Sequence, residues 1–219
     1  MKSFLERNKI YFEIVASLVF GLAALLVSFA SYRNSSELVT LNQRAAQPHF
    51  SVQTSYIKDE KTGTDDDTEL FVSNISGFAY NIHCQVYSFI KLSLFKGGTR
   101  TDTLIPIVGY YPVSQKVGAT VGTLFVFNGH ANNAHYLGLV QSLKKEIMPV
   151  GLSFAESKLQ NLVVIDYLDT TDTGHKAYFL DEEAIQTDEA EKELEAYKAR
   201  QPLDINSASA ADVMKSATH

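Results

Sequence analysis

The chain has no tryptophan, one cysteine and five prolines in 219 residues. The lone Cys84 excludes an intrachain disulfide and any zinc site built on several cysteines. It also lies too far from the apolar N-terminal run to be a lipid-modified terminus. No block of lysine and arginine interleaved with aromatics occurs, and the formal charge is −6. Nucleic-acid binding rests on basic side chains neutralising phosphates, so no nucleic-acid partner is expected. P-loop and dinucleotide-binding fingerprints are missing as well.

What is present begins with IVASLVFGLAALLVSFASY at 14–32, nineteen residues without a charge. A helix needs about 20 apolar residues to cross a bilayer core of about 30 Å, so 14–32 reads as a transmembrane helix behind a basic N-terminal segment, 1–13. The rival reading is a cleaved signal peptide, with Lys2, Arg7 and Lys9 as its positive start and Ser28-Phe29-Ala30 as its cleavage site. The apolar run exceeds the usual length of a signal-peptide core, and residues 33–47 contain neither Gly nor Pro until His49 is approached at Pro48. An uncleaved anchor followed by a helical linker, 33–47, is the expectation. Three basic residues precede the span and only Arg33 and Arg44 follow closely, which places the N-terminus in the cytoplasm and the domain outside.

From Pro48 the period switches to two. Phe50, Val52, Thr54 and Tyr56 alternate with Ser51, Gln53 and Ser55, the pattern of a strand with one buried face. Residues 58–67 read as a charged loop and ELFVS as a short strand. Phe78, Tyr80, Ile82, Cys84, Val86, Ile90, Leu92 and Leu94 share one parity over a stretch too long for an ordinary strand, so a bend is expected near Ser88. Lys96-Gly97-Gly98 turns the chain, and DTLIPIV, VGTLFVF, PVGLSFA, LVVIDYL and HKAYFL are further strands. Between them Tyr136, Val140, Leu143 and Ile147 recur at helical spacing, predicting one internal helix from Ala134 to Met148 with Asn133 as its cap. The loop 169–174 joins two strands, Gly174 supplying the turn. Residues 181–200 read as an acidic helix capped by Asp181, with Glu182 and Glu183 in its first turn. Residues 201–219 lack an evident core and are expected to be disordered. The fold class is thus mainly β: an antiparallel β-sandwich of immunoglobulin type over 48–180, with a transmembrane helix, one internal helix and a C-terminal helix.

Several groupings resemble chemistry, and each has a plainer explanation. Asp172-Thr173-Gly174 spells the aspartic-protease triplet, but Thr170 and Thr171 precede it where an apolar strand is needed, which favours a hairpin turn. Asp166, Asp169 and Asp172, or Asp65 to Asp67, carry oxygens suited to Ca²⁺ without an EF-hand spacing. His130 and His135 have the wrong interval for a metal pair on one strand face. Gly151-Leu152-Ser153 begins like a nucleophile elbow but has Ala155 where the second glycine belongs. Cys84 lies on the apolar parity and reads as core. Asn34 and Asn74 match the glycosylation sequon by form only. No catalytic, cofactor or metal residue is therefore assigned.

FVSNISGFAYNIH (71–83) is similar to an Asn-x-Gly-x-Ala-x-Asn-Ile pattern of uncharacterised bacterial single-pass membrane proteins, with Ser76-Gly77 displacing the glycine by one position. QPHFSV (47–52) resembles the end of their helical linker, and IDYLDTTDTG (165–174) their late Tyr-x-Asp-x-x-Gly hairpin. The resemblance covers about a third of the chain and implies an N-terminal anchor and a small β-sandwich, with no reaction attached. The expected function is a membrane-anchored, non-enzymatic interaction module of a membrane or envelope complex, with an unnamed protein partner. The competing classes are a membrane-acting effector with a cytoplasmic β domain, and a ligand-binding or hydrolytic sandwich using the 128–135 loop, where Asn128, His130, Asn132, Asn133 and His135 cluster.

Within the span, Ser17, Gly21, Ala24 and Ser28 recur at steps of four and three, continuing to Ser31. On a helix they form one seam of small residues, which in lipid permits close approach of a second helix and hence a homo-oligomer. Gly21→Ile is expected to weaken self-association in a membrane two-hybrid assay, whereas Leu22→Ile, one position round the helix, leaves it unchanged. Equal readings from the two variants would reduce the seam to composition.

Overall fold

A computed structural model describes residues 6–61, 63–96, 98–147 and 153–218. The chain divides into two compact units, Met1–Ala46 and Gln47–His219. The first contains the helix α1 (Lys9–Ala46), which runs through the expected span and linker without a break. At 1.5 Å per residue its 38 residues extend for about 57 Å. Leu18, Phe20, Leu25 and Phe29 are all more than 60% exposed along it. The helix is long and apolar enough to cross a membrane.

The second unit is mostly β and carries two sheets. One has the strand order β1 (His49–Lys58), β2 (Asp65–Ser76), β6 (Gly122–Asn128), β5 (Val113–Lys116), all antiparallel. The other runs β10 (Leu203–Asp204), β4 (Thr99–Val108), β3 (Tyr80–Lys96), β7 (Ser153–Leu168), β8 (Gly174–Leu180), β9 (Glu183–Ala184), with only the β10–β4 pair parallel. Three further helices are α2 (Asn132–Ile147), α3 (Thr187–Lys198) and α4 (Ala210–Thr218).

The inner face of the six-stranded sheet is covered in two halves. Over one half lies the four-stranded sheet: Val52, Leu70, Val72, Leu124, Phe125 and Phe127 share a core with Ile82, Val163 and Ile165. Over the other half lie helices: Tyr136, Leu139, Leu143 and Ile147 of α2 and Ala210 and Val213 of α4 cover Ile90, Leu92, Ile105 and Ile107. The outer face is partly covered by α3, whose Ala190 is buried with Phe89, Leu162, Val164 and Tyr178, and against which Leu194 and Tyr197 pack.

This layering explains where the expectations fail. β3 is one 17-residue strand without a bend at Ser88, because it serves both halves of the inner face in turn. The expected parity fails at its start: Phe78 and Tyr80 are 54% and 46% exposed while Ala79 between them is fully buried, because the register shifts between Tyr80 and His83, where Asn81 takes φ 48. The strands expected in PVGLSFA and LVVIDYL join into the single 16-residue β7, while residues 148–152 lie outside the described residues. β2 begins at Asp65 and runs for 12 residues, absorbing the end of the expected loop.

The C-terminal expectations need the larger correction. Asp181 is not a helix cap: at φ 56 it prolongs the β7–β8 ladder, its amide donating to the Asn161 carbonyl at 2.7 Å. Glu183 then belongs to β9, and the helix starts only at Thr187, with Gln186 in the cap position and no side-chain cap. Residues 201–219 are not disordered over their described part. Leu203 and Asp204 pair with Ile107 and Val108. Ser209 and Asp212 form a reciprocal capping box: Asp212 N donates to Ser209 Oγ at 3.2 Å, and Ser209 N donates to Asp212 Oδ2 at 3.0 Å. Ile205 and Val213, at 3% and 0% exposure, complete the core under β3 and β4. Arg200 ties the segment down, donating from Nη1 to the Leu104 carbonyl at 2.8 Å.

Val213→Asp tests this arrangement. An unpaired carboxylate in a closed apolar site is expected to cost roughly 3 kcal/mol or more in chemical denaturation. A tail without structure would tolerate the change with no shift in midpoint.

Candidate functional site

The residues of the expected 128–135 loop converge on one buried contact. β6 leaves β2 at Asn128, so the next residue along β2, Thr68, has Tyr56 of β1 on one side and no strand neighbour on the other while remaining fully buried. Gly129 N still donates to the Thr68 carbonyl at 3.0 Å. The Thr68 N–H is shared between the Asp67 carboxylate, whose Oδ1 lies 2.7 Å away, and the Asn132 side chain, whose Oδ1 lies 3.1 Å away. The same carboxamide donates from Nδ2 to Thr68 Oγ1 at 2.6 Å and to the Tyr110 carbonyl at 3.0 Å, and accepts from Asn133 N at 2.7 Å. Both donors and both acceptor sites of Asn132 are therefore used, inside the protein. A Cβ at Gly129 would overlap that carboxamide, so glycine is required there. His130 and Ala131 bridge from Gly129 to α2 with φ of 50 and 62, the left-handed region. Asn133, the expected cap, instead donates its Nδ2 to the Asp65 carbonyl, and Asn128 donates to Glu69 Oε1 at 3.0 Å. Of the five clustered polar residues only His130 and His135 remain exposed.

Beside this contact opens a cleft of about 400 Å³. Tyr56, Tyr110, Tyr111, Lys158, Asn161 and Asp181 line it, together with Glu182, Glu183 and Glu189. The Tyr110 and Tyr111 rings meet edge to face at 4.9 Å and join the two inner cores. Burial pushes both hydroxyls well above the ordinary tyrosine range, so they stay neutral and offer hydrogen bonds rather than negative charge. The Tyr111 hydroxyl has no hydrogen-bond partner among the described residues. Lys158 is held by Asp181 at 2.8 Å, and Asp181 Oδ1 accepts Asn161 N at 2.9 Å. Glu182 Oε1 accepts the Thr54 N–H at 2.9 Å, tying the free edge of β1 to the opposite sheet. The cleft offers four carboxylates against one ammonium, a setting for a cation or a hydrogen-bonding neutral group. It came from five separated segments, and no local pattern in the sequence pointed to it.

The other sequence-level candidates disperse. Cys84 is half-buried, and burial together with Asp166 pushes its thiol up to about 12, so the nucleophilic thiolate is scarce at neutral pH. In the 169–174 turn Asp172, not Gly174, takes the left-handed conformation, with φ 58. Asp169 organises that turn, its Oδ1 accepting Thr171 N at 2.8 Å and Thr173 N at 3.0 Å while His175 Nε2 lies 2.8 Å from Oδ2. The Thr171 hydroxyl, followed by His175, holds the Asp169 carboxyl far below the usual carboxylate range. Asp166 pairs with Lys176 at 2.9 Å. Among the described residues no group of three or more His, Cys, Asp or Glu is placed to hold a metal. Gly151 and Leu152 of the elbow-like triplet lie outside the described residues. Asn74 of the sequon is fully buried and donates to the carbonyls of Thr120 at 2.6 Å and Gly77 at 3.2 Å, stapling two turns together. Ser17, Gly21, Ala24 and Ser28 line one exposed face of α1, with open space beside Gly21.

The chain matches no protein family, no curated protein and no solved structure. Its functional reading therefore rests on the arrangement above.

Asn132→Ala is expected to destabilise the β unit by about 3 kcal/mol, because it leaves buried partners at Thr68 and Tyr110 unpaired. Asn128→Ala, at a half-buried position, is expected to cost less than about 1 kcal/mol. Denaturant titration of the 47–219 unit measures both.

Proposed function

We propose that the chain is a membrane-anchored, non-enzymatic interaction module, a subunit or accessory of a membrane or envelope complex. The observation that carries this reading is the pairing of a fully exposed apolar helix, α1, with a separate compact β unit beginning at Gln47. A helix with that much uncovered apolar surface has bilayer lipid as its natural solvent, and the β unit is then the part offered to a partner. The lysine and arginine bias around the span favours a cytoplasmic N-terminus and an external β unit.

The β unit reads further as an immunoglobulin-like sandwich. The order β1-β2-β6-β5 corresponds to strands A-B-E-D, and β4-β3-β7-β8 to C′-C-F-G. Domains of this architecture serve widely as binding modules, which agrees with the interaction reading, although function is carried by sites and not by the fold. One observation favours a second role within the same module. The cleft with the unpartnered Tyr111 hydroxyl and four carboxylates is chemically suited to a small cationic or polyhydroxylated ligand.

Two measurements test the main reading. The full chain is expected to stay in the membrane pellet after carbonate extraction, and a form lacking residues 1–46 to be released. A reporter active only outside the cytoplasm, fused after His219, is expected to be active. Activity of a cytoplasm-only reporter instead would overturn the envelope placement and favour a cytoplasmic effector.

A further inference from the structure

Edge strands invite pairing with other chains, and among the described residues this β unit keeps three of its four sheet edges short. β5 has four residues, and β9 and β10 have two each. β1 is the exception, with ten residues and no described strand on its outer side. In an antiparallel ladder the N–H and C=O of alternate residues point away from the partner strand. Thr54 is one such residue, because its N–H donates to Glu182 Oε1 at 2.9 Å instead of to β2. Tyr56, two positions on, therefore turns its N–H and C=O outward as well. Its neighbour across the ladder agrees: the Thr68 C=O accepts from Gly129 N, and the Thr68 N–H goes to the Asp67 and Asn132 side chains. Toward Phe50 the edge is closed, since that ring meets Tyr167 at 5.0 Å and Val52 is 2% exposed. Ser55, Tyr56, Ile57 and Lys58 are exposed.

We infer that an extended, basic segment of a partner protein adds to this edge as a further strand, pairing at Thr54 and Tyr56. The Glu182 carboxylate stands where the carbonyl of such a strand would accept the Thr54 N–H, so the incoming strand displaces it. Charge then selects the occupant. Thr54 and Tyr56 border the cleft of about 400 Å³, where Lys158 is the one cation among the lining residues and is already paired with Asp181 at 2.8 Å. Glu182, Glu183 and Glu189, all exposed, remain as an acidic wall beside the edge. A strand carrying Lys or Arg gives the displaced Glu182 a countercharge. A neutral strand leaves it without one, and an acidic strand meets like charge, so both are rejected. Backbone pairing supplies the affinity and the carboxylates the selection, the division of labour usual in strand addition. This inference rests on the interaction-module reading above and gives its partner a chemistry.

Peptide binding to the full chain in detergent micelles, at physiological ionic strength, tests it. The probe is a peptide alternating Lys with Thr and Val, followed by fluorescence anisotropy and by amide hydrogen exchange. It is expected to bind and to slow exchange at the Tyr56 N–H, which points outward in the free chain. The same peptide with every backbone nitrogen methylated keeps its charge but has no N–H to donate, and is expected to bind at least about tenfold more weakly. Replacing its Lys by Glu is expected to abolish binding. Glu183→Gln combined with Glu189→Gln is expected to weaken it severalfold; both sites are exposed, so folding is preserved. Equal binding of the methylated peptide, or binding without slower exchange at Tyr56, overturns strand addition and leaves only attraction between charges. Spermidine binding as tightly as the peptide overturns it in favour of a small cation in the cleft. No binding of the Lys peptide overturns it outright. Each of these results leaves the anchor reading standing when the chain sediments with membranes, whereas a chain absent from the membrane fraction removes the anchor reading and not the edge.

Discussion

The β unit depends on one carboxamide. Where β6 turns away from β2, the chain must leave one sheet and form a helix over the other, and that departure leaves the buried Thr68 without a strand on the β6 side. A buried N–H without a partner costs about as much as a hydrogen bond is worth inside a protein, and several such groups would exceed what a small domain can spare. Asn132 resolves this by presenting an amide in the position a β-strand would occupy. Its Oδ1 receives the Thr68 N–H and its Nδ2 reaches the Tyr110 carbonyl, so the first residue of α2 is fixed to β2 and to the segment after β4 together. The direction of α2, and with it the placement of Tyr136, Leu139, Leu143 and Ile147 on the sheet, follows from that attachment.

The same junction explains a polar line through an otherwise apolar interior. Along β3 the inward positions run Ile82, Cys84, Val86, Ser88, Ile90 and Leu92, with Ser88 at the border between the part covered by strands and the part covered by helices. Its hydroxyl donates to Asn161 Oδ1 at 2.7 Å, and the Asn161 backbone is in turn held by Asp181. Two covers of different shape cannot close against each other with aliphatic side chains alone. The gap is filled by tyrosine rings and by polar groups that satisfy one another, and what space is left becomes the cleft.

How far this was legible in the sequence depends on whether the evidence was local. Period-two alternation located β1, because one of its faces is turned to the core, and β4, β6 and β8 fall on the strands expected in DTLIPIV, VGTLFVF and HKAYFL. β3 and β7 were cut or bent in the reading because unusual length argued against a single strand, and only the two-part cover justifies that length. The helix start at Thr187 was misplaced because Asp181 and the acids after it satisfy a general capping pattern, while in the fold Asp181 closes a strand ladder. Ser209 and Asp212 spell a capping box, and Ala210, Val213, Met214 and Ala217 follow at helical spacing, so α4 was written in the sequence. It was overlooked because so thin an apolar stripe has value only against a sheet face known to lack a cover. Asn132 and Asn133 are chemically identical neighbours, and no local rule distinguishes the one whose carboxamide holds Thr68 and Tyr110 from the one beside it that reaches the Asp65 carbonyl.

The bond from the Thr54 N–H to Glu182 joins residues 128 positions apart, and Arg200 reaches the Leu104 carbonyl across 96. Contacts of such separation form late, since the loop-closure entropy must be met before any of them contributes. Chains organised by contacts of such separation fold on slow timescales, and the inner surface of β3 and β4 is covered only once the C-terminal segment has docked. Time spent unfinished, more than final stability, then governs how much of this protein reaches its mature state in a crowded compartment.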